Sequence, residues 1–120
     1  MTYFPDLSPY TYFPAETPGT VNIGWLDRWH AFPTGKTSAK FRAKLERVCQ
    51  RRVNQTRGFH SCDFCRAPNK PHSSAEMRAQ GENRTYAAPS LVHHYVVAHD
   101  YKPPKEFIQA VLEFDEKATE

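Results

Sequence analysis

The most regular apolar pattern in the chain runs from Thr37 to Asn54. Phe41, Leu45, Val48, Cys49 and Val53 recur at helical spacing and share one face. Thr37 or Ser38 can cap the start of this helix with a side-chain oxygen. Upstream, Val21 to Leu26 alternates apolar with small or polar residues and reads as a strand. Ala75 to Ala79 and Thr85 to Ala87 read as two further strands, joined by a tight turn over Gln80 to Asn83. Pro89 sits where a first helical residue belongs and opens a helix. Leu91, Tyr95 and Ala98 make its apolar face, and Asp100, Pro103 and Pro104 end it. A last helix spans Pro104 to Lys117, with Phe107, Ile108, Val111, Leu112 and Phe114 apolar. Glu106, Glu113, Asp115 and Glu116 form its acidic outer side.

Residues 1–20 show no such period. Pro5, Pro9, Pro14 and Pro18 exclude a helix and a central strand. Disordered segments are poor in aromatics, whereas this one carries Tyr3, Phe4, Tyr10, Tyr12 and Phe13. It reads as an ordered, extended arm whose rings pack onto the rest. The elements together predict an α+β fold: one small zinc-stapled domain over residues 1–120, a short antiparallel sheet, about three helices and the aromatic, proline-rich arm.

Composition sharpens this picture. A chain of 120 residues suits one domain. Its apolar fraction of 39% is low, but 13% of residues are aromatic and ten are proline. Such a chain has large anchors and fixed turns, and gains from a metal staple. Met1 to Leu7 has neither a basic start nor a long apolar run, so no signal peptide, membrane contact or secretion is expected. Three cysteines is an odd count, which fits cytoplasmic thiols or thiolate–metal bonds better than disulfides.

The strongest chemical signal is Gly58-Phe59-His60-Ser61-Cys62-Asp63-Phe64-Cys65, read with Pro89 to Tyr101. A C-x2-C turn lets both sulfurs reach one ion. His94 and His99, with four residues between them, form a histidine arm of the spacing found in zinc sites. Cys62, Cys65, His94 and His99 are therefore the candidate ligands of one structural Zn2+, within a metal-binding subregion over residues 58–101. His93 and His60 are the alternatives to His94. The 28 residues between Cys65 and His94 rule out the small DNA-reading finger, whose loop is less than half as long. On an ideal helix, residues five apart diverge by about 140°, so the last turn must loosen for His94 and His99 to share an ion. Phe64, inside the turn, is expected to shield the metal from water. Cys49 reads as a core residue and His30 as a partly buried loop histidine.

Three stretches carry a resemblance: Tyr3-Phe4-Pro5-Asp6-Leu7-Ser8-Pro9-Tyr10, Val21 to Asp27, and the cysteine turn followed by Ala88 to Pro104. Together they resemble a family of small bacterial proteins of about this length, described as a domain of unknown function. The resemblance covers most of the chain. It implies Cys62, Cys65, His94 and His99 as the family's cysteine and histidine positions, and it implies no activity, substrate or partner.

The first functional reading is a non-enzymatic zinc protein that binds another protein. A closed Cys2His2 shell leaves no coordination position for a reactant. The alternative is nucleic-acid binding by the basic helix, since Lys36 to Arg57 holds eight basic residues and one acid, Glu46. The net charge of +3 permits that contact. A third reading is a zinc hydrolase or deaminase-like enzyme with Glu76 carrying the proton, or a related nuclease with His93 or His94 as general base. Its order, cysteine pair before glutamate, does not match the deaminase arrangement. No small-molecule substrate is expected.

Overall fold

The computed structural model describes residues 3–10, 19–51, 60–65, 71–73 and 75–114. Within them the chain forms β1 (Thr20–Asn22), α1 (Ala39–Cys49), β2 (His60–Ser61), β3 (His72–Ser73), β4 (Glu76–Gln80), β5 (Thr85–Pro89), α2 (Val92–His99) and α3 (Lys105–Leu112). The architecture is α+β, as the sequence predicts. Among the described residues, no helix is long and apolar enough to cross a membrane.

The main sheet has the order β1-β5-β4. β4 and β5 form the expected hairpin, with Met77 opposite Ala88, and Gly81 N–H donates to Arg84 O across the turn at 2.8 Å. β1, however, pairs parallel to β5, so the sheet is mixed rather than antiparallel. A parallel neighbour needs a long crossover, and the chain between β1 and β5 supplies one that carries α1. β2 and β3 pair antiparallel as a separate short ribbon.

β1 is shorter than the alternation suggests. It stops at Asn22 because Gly24 takes φ +75°, a conformation that breaks an extended run. Ile23, Trp25 and Leu26 stay buried nonetheless. The arm runs antiparallel along β1: Leu7 N–H donates to Asn22 O at 2.7 Å, and Tyr10 N–H to Thr20 O at 2.9 Å. Phe4 meets Trp25 edge to face at 5.6 Å, and Tyr10 is buried. Tyr12 and Phe13 lie outside the described residues.

Ser38 caps α1, its Oγ accepting from Phe41 N–H at 3.0 Å. Phe41, Leu45, Val48 and Cys49 are buried on the predicted face. The helix ends at Cys49, short of the expected Asn54: Gln50 and Arg51 N–H donate three residues back, to Arg47 O and Val48 O, in a tightened last turn, and residues 52–54 lie outside the described residues. Pro89 does not open α2. It closes β5, in register with Glu76, and Ser90 N–H donates to Ala75 O at 3.1 Å. A proline at a strand end loses no ladder bond if its nitrogen faces away, so α2 starts only at Val92. α3 ends at Leu112, short of the expected Lys117: Glu113 and Phe114 already lie outside it, Phe114 N–H donating three residues back to Val111 O, and residues 115–117 lie outside the described residues.

α1 and α3 pack against β4, and α2 packs against α1. Phe41, Leu45, Ile23, Met77, Tyr95, Tyr101 and Phe107 are each 0% exposed. Fully burying such a side chain is worth roughly 1.5–3 kcal/mol. Two polar clusters, one buried and one partly buried, tie distant segments together. Tyr10 donates to Glu76 Oε1 at 2.8 Å while Arg78 pairs with the same oxygen at 2.9 Å. Tyr101 donates to Asp6 Oδ2 at 2.7 Å, and Asp6 Oδ1 accepts from Gly24 N–H at 3.0 Å. The basic face of α1 is partly consumed inside the fold. Lys44 Nζ donates to Leu112 O at 2.8 Å and Phe114 O at 2.5 Å, which closes the end of α3. Arg51 lies over the Phe114 ring, and Arg42 donates to Thr37 O.

Candidate metal centre

Four side chains from two elements converge. The first pair comes from the turn that follows β2. Cys62 N–H donates to Pro71 O at 3.0 Å, which holds the ribbon closed where the turn begins. Asp63 and Phe64 form the bend, so both sulfurs come to one side. Cys62 is fully buried and Cys65 half-buried. Asp63 Oδ2 accepts Arg28 N–H at 3.3 Å, fastening the turn to the loop after Leu26. The Phe64 ring lies 5.2 Å from that of His99, 5.3 Å from Phe32 and 6.0 Å from Tyr95. It covers one side of the cluster, as expected of an apolar residue in that bend.

The second pair comes from α2. Its last turn is wide: Asp100 N–H and Tyr101 N–H both donate to Tyr95 O, closing over five and six residues rather than four. A closure over five residues is π-like and rotates His99 back toward His94. Asp100 completes it in the left-handed conformation, at φ +56°. The loosening that the spacing demanded is thus built into the helix end.

The resulting geometry is compact. Cys62 Sγ lies 3.3 Å from His99 Nε2, Cys65 Sγ 3.3 Å from His94 Nε2 and 3.5 Å from His99 Nε2. All four donor atoms lie within 4.8 Å of one another. Tetrahedral zinc, with bonds of about 2.3 Å to sulfur and 2.0–2.1 Å to nitrogen, sets its ligand atoms about 3.3–3.8 Å apart. The four side chains therefore lie close enough to bind one metal ion, and their donor chemistry suits a borderline-soft one.

Electrostatics favours the ligating form at His94 and leaves the one at Cys62 dependent on a bound cation. Burial holds His94 below the ordinary imidazole value, with His99 and His93 adding to the effect, so its ligating neutral form is favoured. Burial pushes the Cys62 thiol up, and the neighbouring Cys65 adds to this. A buried thiolate at Cys62 needs a compensating positive charge, and a bound cation would supply it.

His93 is half-buried and outside the cluster; its backbone N–H faces the Cys49 sulfur. The His60 side chain lies outside what the structure describes. Cys49 is a core residue, 7% exposed, its thiol pushed up to about 12 by burial. Glu76, the proton carrier of the enzyme reading, is absent from the cluster and is bound by Tyr10 and Arg78. His30 is exposed rather than partly buried. Its ring stacks on Tyr3 at 3.8 Å, and its Nδ1 lies 2.7 Å from Asp27 Oδ1.

Sequence reasoning passed over Trp29. It is 76% exposed, with the Arg28 guanidinium 4.9 Å from its ring centroid. Its N–H donates to Asp27 Oδ1 at 3.1 Å, so the backbone behind it is fixed by an Asx turn. The local signal was Asp27 two positions before Trp29.

The family model described as Domain of unknown function (DUF7919) matches residues 2–112. No curated protein and no solved structure matches the chain.

Proposed function

We propose that this chain, which belongs to the DUF7919 family, is a non-enzymatic zinc protein whose single ion is structural and whose surface serves a protein partner. The observation that carries the reading is the convergence of the Cys62, Cys65, His94 and His99 donor atoms to within 4.8 Å of one another. A zinc ion held there supplies a cross-link. Two thiolates and two imidazoles fill a tetrahedron, which leaves no seat for a reacting water. The chain's own residues do the rest: Cys62 anchors the turn in the core, Asp63 links it to the Arg28 loop, and Phe64 excludes water from one side.

Two observations favour a protein partner over nucleic acid. Trp29 is held outward on a fixed turn, and tryptophan is enriched among residues that dominate binding energy. Arg42, Lys44 and Arg51, which the nucleic-acid reading would place on phosphates, make contacts within the chain. A salt-sensitive mobility shift with single- or double-stranded nucleic acid would reverse that preference.

Chelation tests the structural role. Zinc binding in small domains is worth about 10 kcal/mol or more, and it becomes folding energy. Removing zinc at neutral pH is expected to lower the thermal transition and loosen the 60–101 region, while α1 keeps part of its packing. A transition that does not move removes the structural role.

A further inference from the structure

We propose that Cys62 and Cys65 are also a site of reversible oxidative modification, at which an oxidant of the peroxide class joins them as a disulfide and releases the ion. The inference rests on the zinc reading above and adds a chemical reaction to it.

The two sulfurs lie within 4.8 Å of each other. A disulfide needs about 2.05 Å, and the residues already share one turn, so closing the gap moves a bend rather than an element. The third thiol does not compete: Cys49 is 7% exposed, on the buried face of α1, outside the cluster. Access is uneven. Cys62 is 0% exposed, whereas Cys65, His94 and His99 are half-buried. An oxidant therefore meets Cys65 first and finds Cys62 behind it.

The steps balance. The Cys65 thiolate attacks one peroxide oxygen; the O–O bond breaks, and the departing hydroxide takes a proton to become water. Cys65 is then a sulfenic acid. The Cys62 thiolate attacks that sulfur; the S–O bond breaks, the S–S bond forms, and a second hydroxide leaves as water with a second proton. Two thiolates are oxidised by two electrons, and one peroxide is reduced to two waters. His94 and His99 alone then hold the ion weakly, and it dissociates. The link between the turn and the end of α2 goes with it, and the Arg28 loop, tied to Asp63, is freed from that anchor.

The test uses the full-length, zinc-loaded protein. Zinc is measured before any oxidant is added, then hydrogen peroxide is titrated in. Released zinc is read with a chromogenic chelator, free thiols are counted, and peptides are mapped by mass spectrometry. The expected result is one zinc released for each pair of thiols lost, with a loss of two hydrogens on a peptide joining Cys62 to Cys65. Dithiothreitol with added zinc restores the metal, and Cys49→Ser responds as the parent does. Zinc retained while thiols are consumed, or a disulfide that includes Cys49, overturns the proposal and leaves the zinc reading standing. Protein that holds no zinc before the peroxide contradicts the zinc reading itself, and the release step falls with it.

Discussion

His99 Nε2 stands 3.3 Å from Cys62 Sγ although the two residues are 37 positions apart. One side chain leaves the last turn of α2 and the other the turn after β2. Nothing between them needs to be regular for the pair to meet, provided the helix end widens.

That pairing distinguishes the histidines. His99→Ala is expected to weaken zinc binding by more than about 100-fold, beyond the loss typical of a residue that only supports a ligand. His93→Ala is expected to leave affinity within a few-fold, because His93 is outside the cluster. Competition with a chromogenic chelator measures both. Equal losses would mean that His93 shares the site.

Gly24 predicts a packing defect. A Cβ there would lie 2.8 Å from Val92 Cγ2, and the backbone is already at φ +75°. Gly24→Ala is expected to cost roughly 1–3 kcal/mol from overpacking alone, with further loss from the backbone. Urea unfolding of zinc-loaded protein reads this directly. A cost below about 0.5 kcal/mol, the level of an ordinary surface change, would contradict the close approach of α2 to the segment after β1.

Tyr101 predicts how firmly the arm is held. Its hydroxyl donates to Asp6, and its ring is fully buried. Tyr101→Phe leaves the ring and removes the donor, at an expected cost of about 1–3 kcal/mol. Asp6 would keep Gly24 N–H as a partner. Limited proteolysis should then cut within residues 1–20 sooner than in the parent. Unchanged stability and cleavage would show that Asp6 does not anchor the arm.

Tyr86 gives a pH dependence with a definite sign. Burial, then its hydrogen bond to Glu106, pushes its phenol up to about 12. In the unfolded chain it ionises near 10. Its contribution is therefore complete below about pH 10 and is lost as pH rises toward about 12. Urea midpoints measured across that window should fall less steeply for Tyr86→Phe than for the parent. Parallel curves would contradict the assignment.

The parts of this fold that were legible are those set by local chemistry. The spacing of Phe41, Leu45 and Val48 declares a helix face, and Cys62, Cys65, His94 and His99 carry donor atoms that few other roles require. Even the wide turn at Tyr95 could be inferred, because the ligand spacing is incompatible with an ideal helix. What stayed hidden depends on partners remote in sequence. β1 lies parallel to β5 because of the crossover between them, which alternation at Val21 to Leu26 does not encode. Pro89 satisfies both a helix-start rule and a strand-end rule, and only pairing with Glu76 decides between them. Lys44 looks like a solvated base until the end of α3 is placed beside it. The exposure of Trp29 and His30 is likewise a property of the assembled surface.

The central claim is a closed shell of two sulfurs and two nitrogens around one zinc. Elemental analysis of gently purified protein, combined with X-ray absorption at the metal edge, tests it most directly. The account predicts one zinc per chain, with two sulfur and two nitrogen neighbours at about 2.3 Å and 2.0–2.1 Å. Protein without zinc, or a shell that includes an oxygen from water, would contradict it.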